Sequence, residues 1–318
     1  MVKAAAALKT KVDPSSNYRR IQRFIHDVRI DPKHLAPFLL RLAGLEAPYT
    51  LILDRTNWQF GKGKINFLML SVKGEGWSIP LLWSLLPKKG NSTEQERIEL
   101  LNRFLSIFGI DKIFNLVADR EFIGDTWLSF LNEHRIPYDI RLRENLKVWH
   151  RGKLTHVFRL FRRLPLGEKK AIEKSVILGT TELYLQGSRI INSKTNKPEY
   201  LIIATYCEPF ESSTRYAERW YIENMFKDMK SNGFQLECTH ITKLERLDTL
   251  MGILSIAYVW MIKIGTWVRK MKPKRLVKKK HGRPAKSIFR AGLDEFINAI
   301  FSLDPVRLSR HLNFLSCT

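Results

Sequence analysis

Two short apolar segments, each followed directly by an aspartate, most restrict the fold that this chain can adopt. Residues 49–53 are partly β-branched and lead into Asp54, and residues 113–118 lead into Asp119. Short apolar runs of this kind are typical of strands buried in a sheet. A carboxylate at the end of such a strand can point into a shared cleft, and charged groups are rarely buried without a reason. We therefore predict a buried sheet that presents two aspartates.

The segments between and after these runs predict the order of the other elements. Residues 74–76, Gly-Glu-Gly, fit a hairpin turn, and Thr93 with Glu96 has the spacing of a helix capping box. In chain order we predict strands at 49–53, 65–72 and 77–86, a helix that ends near Gly109, a strand at 113–118, a helix at 125–131 and a strand at 138–142. Three strands, a helix, a strand, a helix and a strand form the order of ribonuclease H-like folds. The predicted fold class is thus α/β, a ribonuclease H-like mixed sheet flanked by helices.

Composition divides the chain into further regions. Residues 143–207 are strongly basic and contain strand-like stretches at 181–191 and 200–206, which predicts a mainly β insertion. The predicted regions are a basic helical N-terminal segment at 1–47, the first part of the ribonuclease H-like catalytic domain at 48–142, the β-rich basic insertion at 143–207, a catalytic helix that completes the domain at 208–245, and a helical, basic C-terminal region at 246–318.

The charge of the chain indicates a polyanionic partner. Lys and Arg number 54 against 31 acidic residues, a formal net charge of +23. The most apolar stretch, residues 250–262, is short of the roughly 20 residues that span a membrane, so we expect a buried helix there and no membrane. The three cysteines lack the CxxC spacing of a zinc site, and they fit a reducing compartment.

Residues 214–231 predict an amphipathic helix that carries a third carboxylate. At helical spacing, one polar stripe contains Tyr216, Arg219, Glu223, Lys227 and Lys230, and the opposite arc contains Tyr221, Ile222, Met225, Phe226 and Met229. A solvated charged face is the simpler interpretation of such a helix by itself. The two strand-end aspartates favour a site instead, because Mg²⁺ binds a few carboxylate oxygens together with water and phosphate oxygens.

These segments resemble bacterial insertion-sequence transposases of the DDE class. YAERWYIENMFKDMK at residues 216–230 matches their Y-x2-R-x3-E-x6-K signature in all four positions and spacings. LILDRTNW at 51–58 and VADREF at 117–122 are similar to their two aspartate blocks, and HGRPAKSIFRAGLDEF near the C-terminus is also similar to family members. The resemblance covers residues 48–296.

The resemblance implies that Asp54, Asp119 and Glu223 are the catalytic residues and hold two Mg²⁺ ions, for which Mn²⁺ is a possible substitute. It also implies that Tyr216, Arg219 and Lys230 contact the DNA backbone near the cleaved end, in a cut-and-paste transposition reaction. From their charge we add phosphate contacts by Lys227 and by Lys278, Lys279 and Lys280, which lie in a basic run. The expected partner is double-stranded DNA, as transposon ends and target. A homodimer in the DNA complex and a place in the bacterial cytoplasm, on the nucleoid, complete the expectation.

Alternative functions remain at this stage. One is a metal-dependent nuclease of the same fold that cuts DNA without joining it. Another is a DNA-binding protein derived from a transposase, which the intact set of three carboxylates disfavours. A third, less favoured, has Tyr216 as a covalent nucleophile.

Overall fold

The structure is a computed structural model, and it describes residues 8, 11–60, 63–192, 195–206, 209–230, 232–239, 241–271, 273 and 285–316. Lys278, Lys279 and Lys280, which the sequence predicts to bind DNA, lie outside the described residues.

A ten-stranded mixed sheet forms the centre of the fold. Its order is β3-β2-β1-β4-β5-β10-β9-β8-β6-β7. The strands are β1 (Tyr49–Phe60), β2 (Gly63–Lys73), β3 (Ser78–Leu86), β4 (Ile113–Ala118), β5 (Tyr138–Leu142), β6 (Lys147–His150), β7 (Lys153–His156), β8 (Lys169–Leu178), β9 (Thr181–Ile191) and β10 (Pro198–Thr205).

The first five strands occur in the predicted order. β1, β2 and β3 pair antiparallel, and Gly74 closes the predicted hairpin turn with a hydrogen bond from its N–H to the carbonyl of Trp77 at 2.8 Å. β4 pairs parallel with both β1 and β5. The chain is therefore mixed α/β, with helices flanking the sheet, and its architecture is compatible with the predicted ribonuclease H-like fold.

The strands of the basic region belong to the same sheet. β10 pairs antiparallel with β5, from Ile202 opposite Leu142 to Thr205 opposite Asp139, and β9 and β8 follow it. The two short strands β6 and β7 form the far edge of the sheet, and the sequence pattern predicted neither these two strands nor β8.

Helices cover the sheet and form the C-terminal part of the fold. They are α1 (Pro14–Asp27), α2 (Pro32–Ala43), α3 (Glu94–Phe108), α4 (Asp125–Glu133), α5 (Ser212–Ala217), α6 (Trp220–Met229), α7 (Leu244–Met271), α8 (Ile288–Phe301) and α9 (Pro305–Asn313). The capping box predicted for α3 is confirmed, because the Glu96 N–H donates to Thr93 Oγ1 at 3.2 Å and the Thr93 N–H donates to Glu96 Oε2 at 2.7 Å. Gly109 follows the last turn of α3, as predicted.

The long helix α7 has 28 residues and a mean hydropathy of 1.5 in its most apolar window. By length and composition it could cross a membrane, but the core helix of a globular protein meets the same criteria, and 56% of that window is buried within the fold. α7 packs against α8 at close range, with glycines at the contact: a Cβ added at Gly292 would lie 1.9 Å from the carbonyl oxygen of Met261.

Candidate active site

The register of the parallel strands brings Asp54 and Asp119 together. The last parallel pair between β1 and β4 is Leu53 opposite Ala118, and the two aspartates are the next residues on their strands. β1 does not end at Asp54, as the sequence pattern suggested. It continues to Phe60 because its antiparallel pairing with β2 continues after β4 has ended. At Asp54, β1 is therefore still paired with β2 on one side, but its pairing with β4 on the other side has ended.

Asp54 is a buried carboxylate, 9% exposed. Its Oδ1 accepts the N–H of Arg55 at 2.8 Å, and its Oδ2 accepts Nη1 of Arg219 at 2.9 Å. Burial raises the pKa of Asp54 to about 7 despite these two donors, and the negative charges of Asp119 and Glu121 act in the same direction as burial. A cation close to Asp54 would favour the charged form of this carboxylate.

Asp119 follows β4 directly and is more exposed than Asp54. Its Oδ1 accepts the N–H of Arg120 at 2.7 Å and the hydroxyl of Tyr216 at 3.1 Å. Burial raises the pKa of Asp119, but the charges of Arg219 and Arg141 and the two hydrogen bonds outweigh it, so the pKa lies below its ordinary value. The two neighbouring aspartates therefore differ in how strongly they bind a proton.

The helix predicted at 214–231 is interrupted, which corrects the expectation of one continuous helix. α5 ends at Ala217 and α6 begins at Trp220. Between them the chain stays helical but tightens, because the N–H of Arg219 bonds to the carbonyl of Tyr216 at 3.0 Å, three residues back. Lys73 of β2 holds this turn through an ion pair with Glu218 at 2.5 Å.

A buried ion pair fixes α5 on the sheet. Arg215 donates to Asp139 of β5 at 2.5 and 3.0 Å, and Asp139 is fully buried. The next residue, Tyr216, is only 7% exposed and packs against Val117 and Ile203, with its hydroxyl on Asp119. Tyr216 is therefore a buried neighbour of the carboxylates in this structure.

Arg219 connects Asp54 with Glu223, the third predicted carboxylate. Its second terminal nitrogen, Nη2, donates to Glu223 Oε1 at 2.5 Å, while Nη1 is bound to Asp54. The guanidinium also lies 5.8 Å from the centre of the Tyr216 ring. The four side chains thus form one connected cluster, with Asp119 joined to it through Tyr216.

The predicted lysines differ in position. Lys230 lies at the end of α6, where its Nζ donates to the carbonyl of Asn57 at 2.7 Å, so it stands beside β1 just past Asp54. Lys227 is exposed on α6. The apolar side of α6 packs as predicted, since Ile222, Met225, Phe226 and Met229 are buried.

Comparison with known proteins identifies the family. The family model described as the transposase DDE domain matches residues 47–260, about two-thirds of the chain. The chain belongs to the DDE transposase family. All three predicted carboxylates, and the signature residues around Glu223, fall within the matched range. A search among curated proteins found no match. Among solved structures, endonuclease V from Bacillus subtilis is similar at 10% sequence identity and a TM-score of 0.30, over 66% of this chain and 84% of that one.

DDE transposases use divalent metal ions, so the fit of the carboxylates to such ions matters. The donor set suits a hard cation, because Asp54, Asp119 and Glu223 offer only carboxylate oxygens. In the described residues, no three His, Cys, Asp or Glu side chains are grouped so that they could hold an ion as they stand. The positively charged guanidinium of Arg219 lies between Asp54 and Glu223 and forms ion pairs with both of these proposed metal ligands. The three residues therefore fit a divalent ion by the chemistry of their oxygens, and Arg219 occupies two of the three carboxylates in this structure.

Two basic residues beside the cluster were not predicted from the sequence. Arg55 forms an ion pair with Glu121 at 2.8 Å and also donates to Asn91 at 2.7 Å, and this network supports the strand that carries Asp54. Arg141 follows the last parallel pair of β5 with β4, so it occupies the position next to Asp119 across the strands. The apolar pattern predicted the strand at 138–142 that carries Arg141, but not the register that sets Arg141 beside Asp119.

Proposed function

We propose that this transposase cleaves DNA at the ends of an insertion sequence and joins the freed ends to target DNA, with Asp54, Asp119 and Glu223 as ligands of two divalent metal ions. The ions are Mg²⁺, and Mn²⁺ can substitute. One observation carries the proposal: the parallel register of β1 and β4 sets Asp54 beside Asp119, and Arg219 links Asp54 to Glu223. Two carboxylates from distant parts of the chain thus lie side by side on the sheet, and Arg219 connects the third to them.

The chemistry follows from this donor set. When bound, two such ions activate the attacking oxygen and stabilise the leaving oxygen in an in-line displacement at phosphorus. Water attacks first and releases a DNA 3′-hydroxyl, which then attacks the phosphodiester of the target. In this proposal Asp54 and Asp119 would bind the ions from the sheet, and Glu223 would bind them from α6. Each step exchanges one phosphorus–oxygen bond for another, so no covalent protein intermediate is needed.

The basic side chains around the carboxylates position the DNA in this proposal. Arg219 exchanges its carboxylate partners for a backbone phosphate, which its planar fork suits, and Lys230 and Lys227 supply point charges on the same helix. Tyr216 steadies Asp119 and lies close to the cleaved end. Lys278, Lys279 and Lys280 add phosphate contacts that do not depend on sequence. The active form is a homodimer that pairs two transposon ends on the bacterial nucleoid.

A nuclease that cuts without joining is the second candidate, and the shared chemistry of the three carboxylates supports it equally. A protein that only binds DNA is disfavoured, because three clustered carboxylates beside a polyanion would weaken binding with no compensating role.

The experiment is a cleavage and strand-transfer assay with purified full-length protein, Mg²⁺ and labelled DNA that carries the ends of the element. The parent should cut and join. Asp54→Asn, Asp119→Asn and Glu223→Gln should each abolish both steps and leave DNA affinity largely intact, because metal ligation and phosphate-backbone affinity are separate functions. Asp111→Asn is the matched control, since Asp111 is exposed and precedes β4, whereas Asp119 follows the other end of this strand.

Three outcomes separate the candidates. Cutting without joining would favour the nuclease, and binding with neither reaction would favour the DNA-binding protein. Activity retained by any one of the three carboxylate variants would remove that residue from the proposed metal site.

A further inference from the structure

A row of three side chains continues the edge that carries the two aspartates. Ala118 of β4 pairs with Ile140 of β5, and the next residues on the two strands are Asp119 and Arg141. Asp54 likewise follows the last pair of β1 with β4. Asp54, Asp119 and Arg141 therefore lie side by side on three neighbouring parallel strands. Neighbouring strands are about 4.8 Å apart, so Arg141 lies one spacing from Asp119 and roughly 10 Å from Asp54.

Arg141 lines a cavity of about 370 Å³ together with Arg120 and Arg143. Arg120 follows Asp119 directly, and Arg143 follows the end of β5. The side chains of Arg120 and Arg143 are exposed and make no hydrogen bond or ion pair within the part of the chain that the structure describes. Two free guanidinium groups therefore share one cavity with a third.

Three arginines and one acidic residue line this cavity, so its lining carries an excess of positive charge. The acidic residue is Glu144, whose Oε1 accepts the N–H of Tyr200 at 3.0 Å. Glu199 lies 3.4 Å from Nη2 of Arg141, a long contact. The Nε of Arg141 is buried and has no acceptor among the described residues. A buried donor without an acceptor is costly, so Arg141 is not held in place by a full set of hydrogen bonds.

We propose that Arg120, Arg141 and Arg143 form a binding site for the DNA phosphate backbone, on the side of Asp119 that faces away from Asp54. The site rests on the proposed function, because it takes the carboxylates as the place of cleavage. The roughly 10 Å from Asp54 to Arg141 exceeds the axial rise of about 3.4 Å per nucleotide, so the two positions would face different nucleotides of a strand. The strand that is cut is thus held on both sides of the carboxylates, by Arg219 and Lys230 on one side and by these arginines on the other.

Arginine is the residue expected at such a site. Its planar fork can donate two parallel hydrogen bonds to one phosphate, and three arginines can follow successive phosphates along a strand. Contacts of this kind position the strand and do not read its sequence.

The test compares the double variant Arg120→Gln, Arg143→Gln with a control that removes the same charge elsewhere. Both arginines are exposed, so the fold should survive, which a thermal unfolding curve checks. The control is the double variant Lys112→Gln, Arg135→Gln. These two basic residues precede β4 and β5, at the ends of the strands that lie away from Asp119 and Arg141. Affinity for a duplex with a transposon end is measured for the full-length protein in EDTA, over a series of salt concentrations.

We expect the Arg120, Arg143 variant to bind DNA roughly tenfold more weakly at about 0.1 M salt. The slope of log affinity against log salt should fall by about 1 for each phosphate that the variant no longer binds. The control should keep the parental slope. The proposed site would be overturned if the Arg120, Arg143 variant kept the parental slope. It would also be overturned if the control lowered the slope by the same amount as this variant.

Because binding is measured without metal, the result does not depend on cleavage. A parent that binds DNA but never cuts it would refute the proposed function and still leave the salt slopes to decide on the arginine site. A parent that cuts, with an unchanged slope in the variant, would refute the arginine site alone.

Discussion

Arg219 and Asp54 are joined by a hydrogen bond of 2.9 Å although 165 residues separate them in the chain. The same guanidinium donates to Glu223 at 2.5 Å. A positive charge therefore stands between two carboxylates that the proposed reaction needs for metal ions. Arg219 and the metal ions must compete for these oxygens, and a DNA phosphate that attracts Arg219 would favour metal binding.

Arg219→Ala should raise the affinity of the protein for Mn²⁺ in the absence of DNA, because it removes the competing cation. A change of about 1.4 kcal/mol would appear as a tenfold change in the dissociation constant. Titration calorimetry or the electron paramagnetic resonance signal of free Mn²⁺ measures it. Arg219→Lys is the control, since it keeps the charge and loses the two-pronged geometry. Weaker Mn²⁺ binding by Arg219→Ala would show that Arg219 supports the metal site instead of competing with it.

The same variant should cleave DNA more slowly even with saturating metal. Removing a charge-assisted hydrogen bond to phosphate costs about 1.5 to 3 kcal/mol, a ten- to hundredfold reduction in rate, whereas removing a metal ligand should abolish activity altogether. Lys230→Ala should fall in the same range as Arg219→Ala. Cleavage rates of both variants at the parental value, with unchanged DNA affinity, would mean that these side chains do not position DNA.

The sequence predicted the carboxylates because local signals mark them. Asp119 ends a short apolar run, and Glu223 falls on a polar stripe opposite apolar residues that are buried in the structure. The full length of β1 was not predictable in the same way. Its second half is polar and is held by pairing with β2, which a local pattern does not contain.

The break between α5 and α6 had no local signal either, since neither glycine nor proline lies near Glu218. The turn is held by Lys73, which lies 145 residues earlier. Arg141 was missed for a related reason: its position beside Asp119 depends on the register between two strands. Sequence patterns thus indicated the identity of the candidate ligands, and nonlocal pairing sets what surrounds them.

Tyr216→Phe tests whether Tyr216 acts as a nucleophile. Burial raises the pKa of Tyr216 well above its ordinary value, so its phenol does not readily ionise. The variant loses the hydrogen bond to Asp119, and we expect cleavage to slow by roughly tenfold. The rate of cleavage of labelled DNA measures this. Complete loss of cleavage, with a covalent protein–DNA adduct in the parent, would support the nucleophile and contradict the proposed mechanism.

Asp228 should make the stability of the fold depend on pH. It lies on α6, is 4% exposed, and its two oxygens accept the hydroxyl of Ser287 at 3.4 and 3.3 Å. Burial raises its pKa from 3.8 to about 6, so the folded state binds the proton more tightly than the unfolded state. Stability contributed by the neutral form is therefore lost as pH rises through about 6.

Asp228→Asn removes this titration. We expect the variant to be more stable than the parent at pH 7, by at most about 3 kcal/mol, and the difference to shrink toward pH 5. Urea unfolding at pH 5, 6 and 7 measures it. Comparison with the parent isolates Asp228 from other carboxylates with a raised pKa, such as Asp54. A difference that stays constant over this range would show that Asp228 does not titrate in it.

Gly292→Ala should destabilise the packing of α8 on α7. The two helices approach so closely that an added Cβ at Gly292 would lie 1.9 Å from the backbone oxygen of Met261, and one at Gly265 would lie 1.9 Å from that of Ile288. Backbone atoms cannot give way as a side chain can, so the helices must separate, and such overpacking typically costs about 1–3 kcal/mol. Asn298→Ala, an exposed position on the same helix, is the control and should change stability by less than about 0.5 kcal/mol. Thermal unfolding of the three proteins measures the effect, and equal stability of Gly292→Ala and the control would mean that the helices do not make this close contact in solution.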